Sequence, residues 1–125
     1  MLNTLLALPL LLQSAPYDGT TLFAPMSQND VFLIDNSGAI VHSWPGSNLP
    51  GLSVYLTSDY DLIRTNRIAP GPLPSGNGGG LQRLDWSGNV VWDYQYYSAG
   101  QHLQHHDIEL LPDGNILVVA WEWKT

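Results

Sequence analysis

"QRLDWSGNVVWDY", residues 82–94, decides the reading of the fold. Two short apolar runs meet at Asp85-Trp86-Ser87-Gly88, where Gly88 supplies the positive φ that a tight hairpin needs. The same pattern stands fifty residues earlier in "FLIDNSGAIVHSW", residues 32–44. It sets Asp35 on Asp85, Gly38 on Gly88, Val41 on Val91 and Trp44 on Tyr94. A second pair, "SVYLTSDYDLIRT" (53–65) and "DIELLPDGNILVV" (107–119), aligns at an offset of 54, the extra residues falling in "YYSAGQHLQ". Two hairpins per period of about 50 residues make four strands, the size of one β-propeller blade.

No stretch carries a helical period. Apolar residues alternate or run briefly, cut by turn chemistry at "DNSG" (35–38), "SDYD" (58–61), "DWSG" (85–88) and "PDGN" (112–115). The expectation is an all-β partial β-propeller with about two four-stranded blades' worth of strands, one full blade flanked by two half-blades. Residues 53–57 and 62–67 are the expected inner strands of the full blade, and 81–86 and 89–95 its outer strands. Residues 31–35 and 39–44 form a leading outer pair without an inner one; 107–111 and 115–121 form a trailing inner pair. "APGPLPSGNGGG" (69–80) is a long connection within the full blade. Residues 17–125 thus form the propeller unit. Residues 1–16 are a separate apolar segment, "TLLALPLLL" being too short for the ~20 residues of a membrane helix. That segment reads equally as a signal remnant ending near "QSA" or as a strand of the mature fold.

The 125 residues carry a formal net charge of −7, and the only Lys and Arg are Arg64, Arg67, Arg83 and Lys124. So few cations leave no footprint for nucleic acid or an anionic membrane. The absence of cysteine excludes disulfides, thiol catalysis and Cys-based zinc sites. Low Lys with plentiful Trp, Tyr, Gly, Asn and Ser points to an extracellular or periplasmic β protein. Two blades' worth of strands cannot close a ring of about four to eight blades. The chain is therefore expected either to continue into further blades of a longer protein or to assemble with copies of itself. A leading and a trailing half-blade from successive copies would make one full blade, closing a ring or extending a filament.

"QHHDIELLPDGNILVVAWE" (104–122) places His105, His106 and Asp107 just ahead of an innermost strand, at the mouth of a central channel. Alternation along a strand turns only one imidazole toward that channel. Asp107 is placed to hold a neighbouring imidazole in one tautomer. The plainer reading is a polar lead-in that caps the strand. His102, His105 and His106 lack the further ligands of a metal site, so none is assigned. His42 is read as structural. The tryptophans 44, 86, 92, 121 and 123 are expected to stack between blades.

"DGTTLFAP" (18–25), "LIDNSGAIVHSW" (33–44), "PGLSVYL" (50–56), "GGGLQRLDWSGNVVWDY" (78–94) and "QHHDIELLPDGNILVVAWE" follow one another in that order. Together, over residues 17–125, they resemble the N-terminal part of the bacterial arylsulfate sulfotransferase family. That resemblance implies a six-bladed propeller outside the cytoplasm that moves a sulfuryl group from a phenolic sulfate ester to another phenol. It implies a histidine nucleophile, anion-binding His and Arg side chains, and no cofactor. His105, His106 and Asp107 are then the catalytic candidates, and Arg64 and Arg67 the sulfate-binding ones. An arginine within a strand is otherwise usually a solvated surface residue. The family's remaining blades and their active-site residues have no counterpart here. Three function classes follow: a sulfotransferase completed by further blades or copies, a non-catalytic self-assembling subunit, and a module binding an anionic or aromatic ligand.

Overall fold

The computed structural model describes residues 16–68 and 76–124. The expectations for the apolar N-terminal segment and for much of the 69–80 connection lie outside the described residues.

All regular structure described is β-strand: β1 (Thr20–Phe23), β2 (Val31–Asp35), β3 (Ile40–Trp44), β4 (Pro50–Leu56), β5 (Leu62–Arg67), β6 (Gly79–Leu84), β7 (Val90–Gln95), β8 (Tyr97–Ser98), β9 (His102–Leu110) and β10 (Ile116–Glu122). They form three antiparallel sheets, ordered β1-β2-β3, β4-β5-β6-β7 and β10-β9-β8, none of them closed. The central sheet is the four-stranded meander expected from the repeat.

The hairpins share one turn. In each, the residue before the turn donates to a carbonyl four residues on and accepts from the amide three on: Asp35 with Ala39 and Gly38, Thr57 with Asp61 and Tyr60, Asp85 with Asn89 and Gly88, Leu111 with Asn115 and Gly114. Gly38, Gly88 and Gly114 occupy the left-handed position, at φ 83, 84 and 86°. In the β4–β5 turn that position is Tyr60, at φ 64°. Side-chain oxygens of Asp35 and Asp85 accept backbone amides within their own turns and reinforce them.

Two expectations are corrected. The leading unit is three-stranded, because Thr20–Phe23 pairs with the free edge of β2 and Leu22 packs on the core. The trailing unit is also three-stranded, and its long strand starts at His102, so His105 and His106 lie inside β9 rather than ahead of it. That extension exists because β8 and the backbone around Asn77 pair with β9 on the side away from β10.

Alternation along β5 distributes the core. Leu62 joins Val31, Leu33, Trp44 and Leu84 between the first and second sheets, while Ile63 joins Leu81 and Ile108 between the second and third. β5 is covered on both faces and is buried from Leu62 to Asn66. β7 and most of β10 remain exposed. Between the first two sheets, Trp44 donates its indole N–H to the Asp85 carbonyl at 3.1 Å, and His42 stacks on Trp86 at 3.8 Å. Both fulfil the structural role expected of these side chains.

Candidate active site

His106 and Asp107 occupy a bulge. Val118 pairs with Ile108, but Val119 pairs with His105, so two residues of β9 have no partner on β10. β4 carries a matching interruption with the same two-residue excess: Pro50 pairs with Asn66 and Val54 with Arg64, which leaves residues 51–53 opposite Thr65 alone. With the offset of 54, Leu52 and Ser53 correspond to His106 and Asp107. Bulges re-aim side chains out of the ordinary alternation, and they recur beside active sites. The two bulges face each other: the Ser53 hydroxyl donates to Asp107 Oδ1 at 2.8 Å, and the Thr65 hydroxyl reaches the His106 carbonyl at 3.4 Å.

A buried glutamine holds the bulge in shape. Gln104 accepts from the Gly79 amide at 3.0 Å and donates to the carbonyls of His105 at 2.6 Å and Asp107 at 3.4 Å. The backbone at 76–78 closes against β9, with the His106 amide donating to the Gly76 carbonyl at 2.9 Å. A Cβ on Gly76 would lie 2.0 Å from His105 Nε2, and one on Gly78 would lie 2.0 Å from Gln104 Oε1. Gly76, at φ 79°, is required on both counts. Gln104, Ser53 and Gly76 escape sequence reasoning. The available signal was the adjacency of Gln104 to His-His-Asp and the glycine run opposite.

The imidazoles meet edge to face, their centroids 4.2 Å apart, with Nδ1 of His106 2.6 Å from Nδ1 of His105. One ring must carry the shared proton on Nδ1 and the other must accept it. Burial first, and second the charge that His106 carries when protonated, lower the His105 pKa below its ordinary value and favour the neutral form of His105. A neutral His105 can serve as acceptor with its own proton on Nε2. His106 then carries Nδ1–H and leaves its Nε2 lone pair available, with no hydrogen bond to that atom among the described residues. The indole of Trp121 packs edge-on against His105 at 4.8 Å. Asp107 is held anionic by the Ser53 hydroxyl first and the Ile108 amide second, with the charge of His106 adding to both. Its recorded hydrogen bonds come from those two groups and not from an imidazole, so orienting His106 falls to His105.

The arginines part company. The solvated reading of Arg64 does not hold, because its side chain is fully buried and donates to the carbonyls of Asn29 at 2.9 Å and Asn48 at 2.6 Å. It ties two loops to β5 on the face toward the first sheet, and burial lowers its pKa. Arg67 lies two residues beyond Thr65, so alternation sets it on the opposite face, the one that meets His106. Its buried Nε, like the buried indole N–H of Trp121, has no hydrogen-bond partner among the described residues. Also among them, no three His, Cys, Asp or Glu side chains converge as metal ligands.

No protein-family model, curated protein or solved structure matches the chain.

Proposed function

We propose that the chain is the front part of an arylsulfotransferase-like propeller working outside the cytoplasm, with the sulfuryl group carried by His106. The observation behind this reading is the 2.6 Å contact between the two Nδ1 atoms on the β9 bulge, which fixes the His106 ring and leaves its Nε2 to react. The His106 Nε2 lone pair attacks the sulfur of an aryl sulfate ester. An N–S bond forms, the S–O(aryl) bond breaks, and its electron pair departs on the phenolate. A second phenol oxygen then attacks sulfur, and the N–S pair returns to Nε2. The proton given up by the acceptor phenol balances the one taken up by the departing phenolate, and no redox partner is needed.

His105 holds the tautomer, and the Asp107 carboxylate offsets the positive charge of the sulfated imidazole. Arg67 and the Trp121 indole N–H supply unsatisfied donors for the sulfuryl oxygens. Arg64 has no part in this: its Nε is unpartnered like that of Arg67, but its side chain lies on the other face of β5, where the two Nη atoms donate to the Asn29 and Asn48 carbonyls.

The test is transfer from a chromogenic phenyl sulfate to phenol by the full protein. His106→Ala should lower the rate at least ~100-fold, the scale of losing a positioned reactive side chain. His105→Ala should lower it less and shift the pH profile. Mass spectrometry of the quenched enzyme should find the sulfuryl group on the peptide bearing His106. Undiminished transfer by His106→Ala, or no transfer by the unmodified protein, removes the reading.

A second reading, a non-catalytic subunit that assembles head to tail, has its own observation. The outer edge of β10 has no described partner, and Leu117, Val118 and Val119 on that strand are exposed. With β1 and β8 present, the join would hold β8, β9, β10, β1, β2 and β3, two strands more than the central sheet. For a four-stranded blade, β1 and β8 would both have to give way. The signature of this reading is an assembly whose stability rises with protein concentration.

A further inference from the structure

At the other end of the central sheet, the β4–β5 and β6–β7 turns lie side by side and enclose an open cleft of about 400 Å³ lined by Asp59, Tyr60 and Trp86. We propose that this cleft binds an N-alkylated ammonium group. The two rings stand at 85° with centroids 5.8 Å apart, which makes an aromatic corner. Trp86 is held in place from behind: His42 stacks on it at 3.8 Å and bonds the Trp86 carbonyl at 2.8 Å, and Trp44 meets it edge-on at 5.3 Å.

Tyr60 is an expensive choice for its position. The three equivalent turns put glycine there, and a side chain at positive φ is strained. The turn itself asks for glycine, so the tyrosine ring is accounted for by what it faces and not by the backbone it stands on.

The chemistry of the lining selects the ligand class. Two aromatic rings with one carboxylate and no Lys or Arg in the lining attract a positive charge, as cation–π attraction is strongest at Trp and strong at Tyr. Arg83, on the neighbouring β6, is tied to Asp61 at 2.7 Å. A sugar would draw on convergent hydrogen bonds from the Asp59 carboxylate, the Tyr60 hydroxyl and the Trp86 indole N–H, and the methyl glucoside arm of the test below separates that ligand class from a cation. An alkylated ammonium needs none, because its charge spreads over methyl groups that pack on the rings. The net charge of −7 favours the approach of any cation.

The test titrates the whole chain with choline chloride at constant ionic strength, following the Trp86 indole N–H by NMR. The neutral isostere 3,3-dimethylbutan-1-ol and methyl glucoside are run in parallel. Choline should bind saturably, and the isostere about 3- to 10-fold more weakly, the ratio expected of cation–π attraction at a partly exposed site. Asp59→Asn should weaken choline by a similar factor. Tyr60→Gly should remove saturable binding while keeping or raising the melting temperature, since it installs the residue the other three turns use. Equal binding of the isostere, tighter binding of the glucoside, absent saturation, or undiminished binding by Tyr60→Gly would each overturn the assignment.

Discussion

The β4–β5 and β9–β10 hairpins are two copies of one backbone plan put to opposite uses. Both have the same turn, and both carry a two-residue bulge at equivalent positions. In the first copy the bulge region reads Gly51-Leu52-Ser53, and Gly51 is bare because a Cβ there would lie 2.7 Å from the Thr65 hydroxyl. In the second it reads His105-His106-Asp107, and Val119 stands where Thr65 was. The second strand differs as sharply: β5 is buried between two sheets, while β10 shows Leu117, Val118 and Val119 to solvent. A bulge is thus a re-aiming device whose use depends on what its residues meet. The covered copy packs; the other presents two imidazoles and a carboxylate.

The largest effect comes from trimming equivalent side chains in the two second strands. Ile63, 5% exposed, and Leu117, 58% exposed, are counterparts at the offset of 54. Ile63→Ala should cost about 2–4 kcal/mol in urea unfolding, since it empties the contact with Leu81 and Ile108. Leu117→Ala should cost less than about 0.5 kcal/mol. The contrast breaks if β10 is covered by another copy. In that case the cost of Leu117→Ala grows with the logarithm of protein concentration, and the native mass exceeds that of one chain.

That pair also marks how far the sequence could be read. The hairpins were legible because their turns are local chemistry: Asp35, Asp85 and Asp113 bond amides within their own turns, and glycine fits the left-handed position. "TTLF" carries no such signal, and β1 exists only because the edge of β2 is there to pair with. Two arginines in one strand read alike in sequence. Arg64 proved buried and Arg67 not because the neighbouring sheets, which no local pattern encodes, decide what each face of β5 meets. Of the site, His105, His106 and Asp107 could be named from adjacency alone. Their places inside a strand and the contact between the rings depend on the neighbouring Gln104 and on Gly76 and Ser53, which approach from distant points in the chain.

A smaller effect separates the bulges themselves. Leu52 stands at φ 90°, whereas its counterpart His106 is not in that region. Leu52→Gly should therefore stabilise the chain by about 0.5–1 kcal/mol, the left-handed strain relieved less the extra freedom glycine has when unfolded. His106→Gly should give no such gain. Urea midpoints of the two variants make the comparison, and equal shifts would mean that the strain at Leu52 carries no weight.

The smallest effect is a pH dependence that only the histidine-bearing copy should show. The folded pKa of His105 is lowered from 6.5 by burial first and by the charge of His106 second. Between the folded pKa and about 6.5 the unfolded chain binds a proton that the native chain does not, so stability should fall as pH drops through that window and stay level above it. Gly51, at the equivalent place, has nothing to titrate, so His105→Asn should flatten this slope. Asp107 works in a lower window with the same sign. Its folded pKa lies below 3.8 because the Ser53 hydroxyl and the Ile108 amide favour the anion, so its contribution is present above the unfolded value and lost as pH falls through the folded one. Ser53→Ala should move that loss to higher pH without touching the histidine window. Both groups keep contact with water, so both slopes are shallow. NMR titration of the His105 ring is the direct check, and a midpoint at or above 6.5 would show that neither burial nor the charge of His106 sets its protonation.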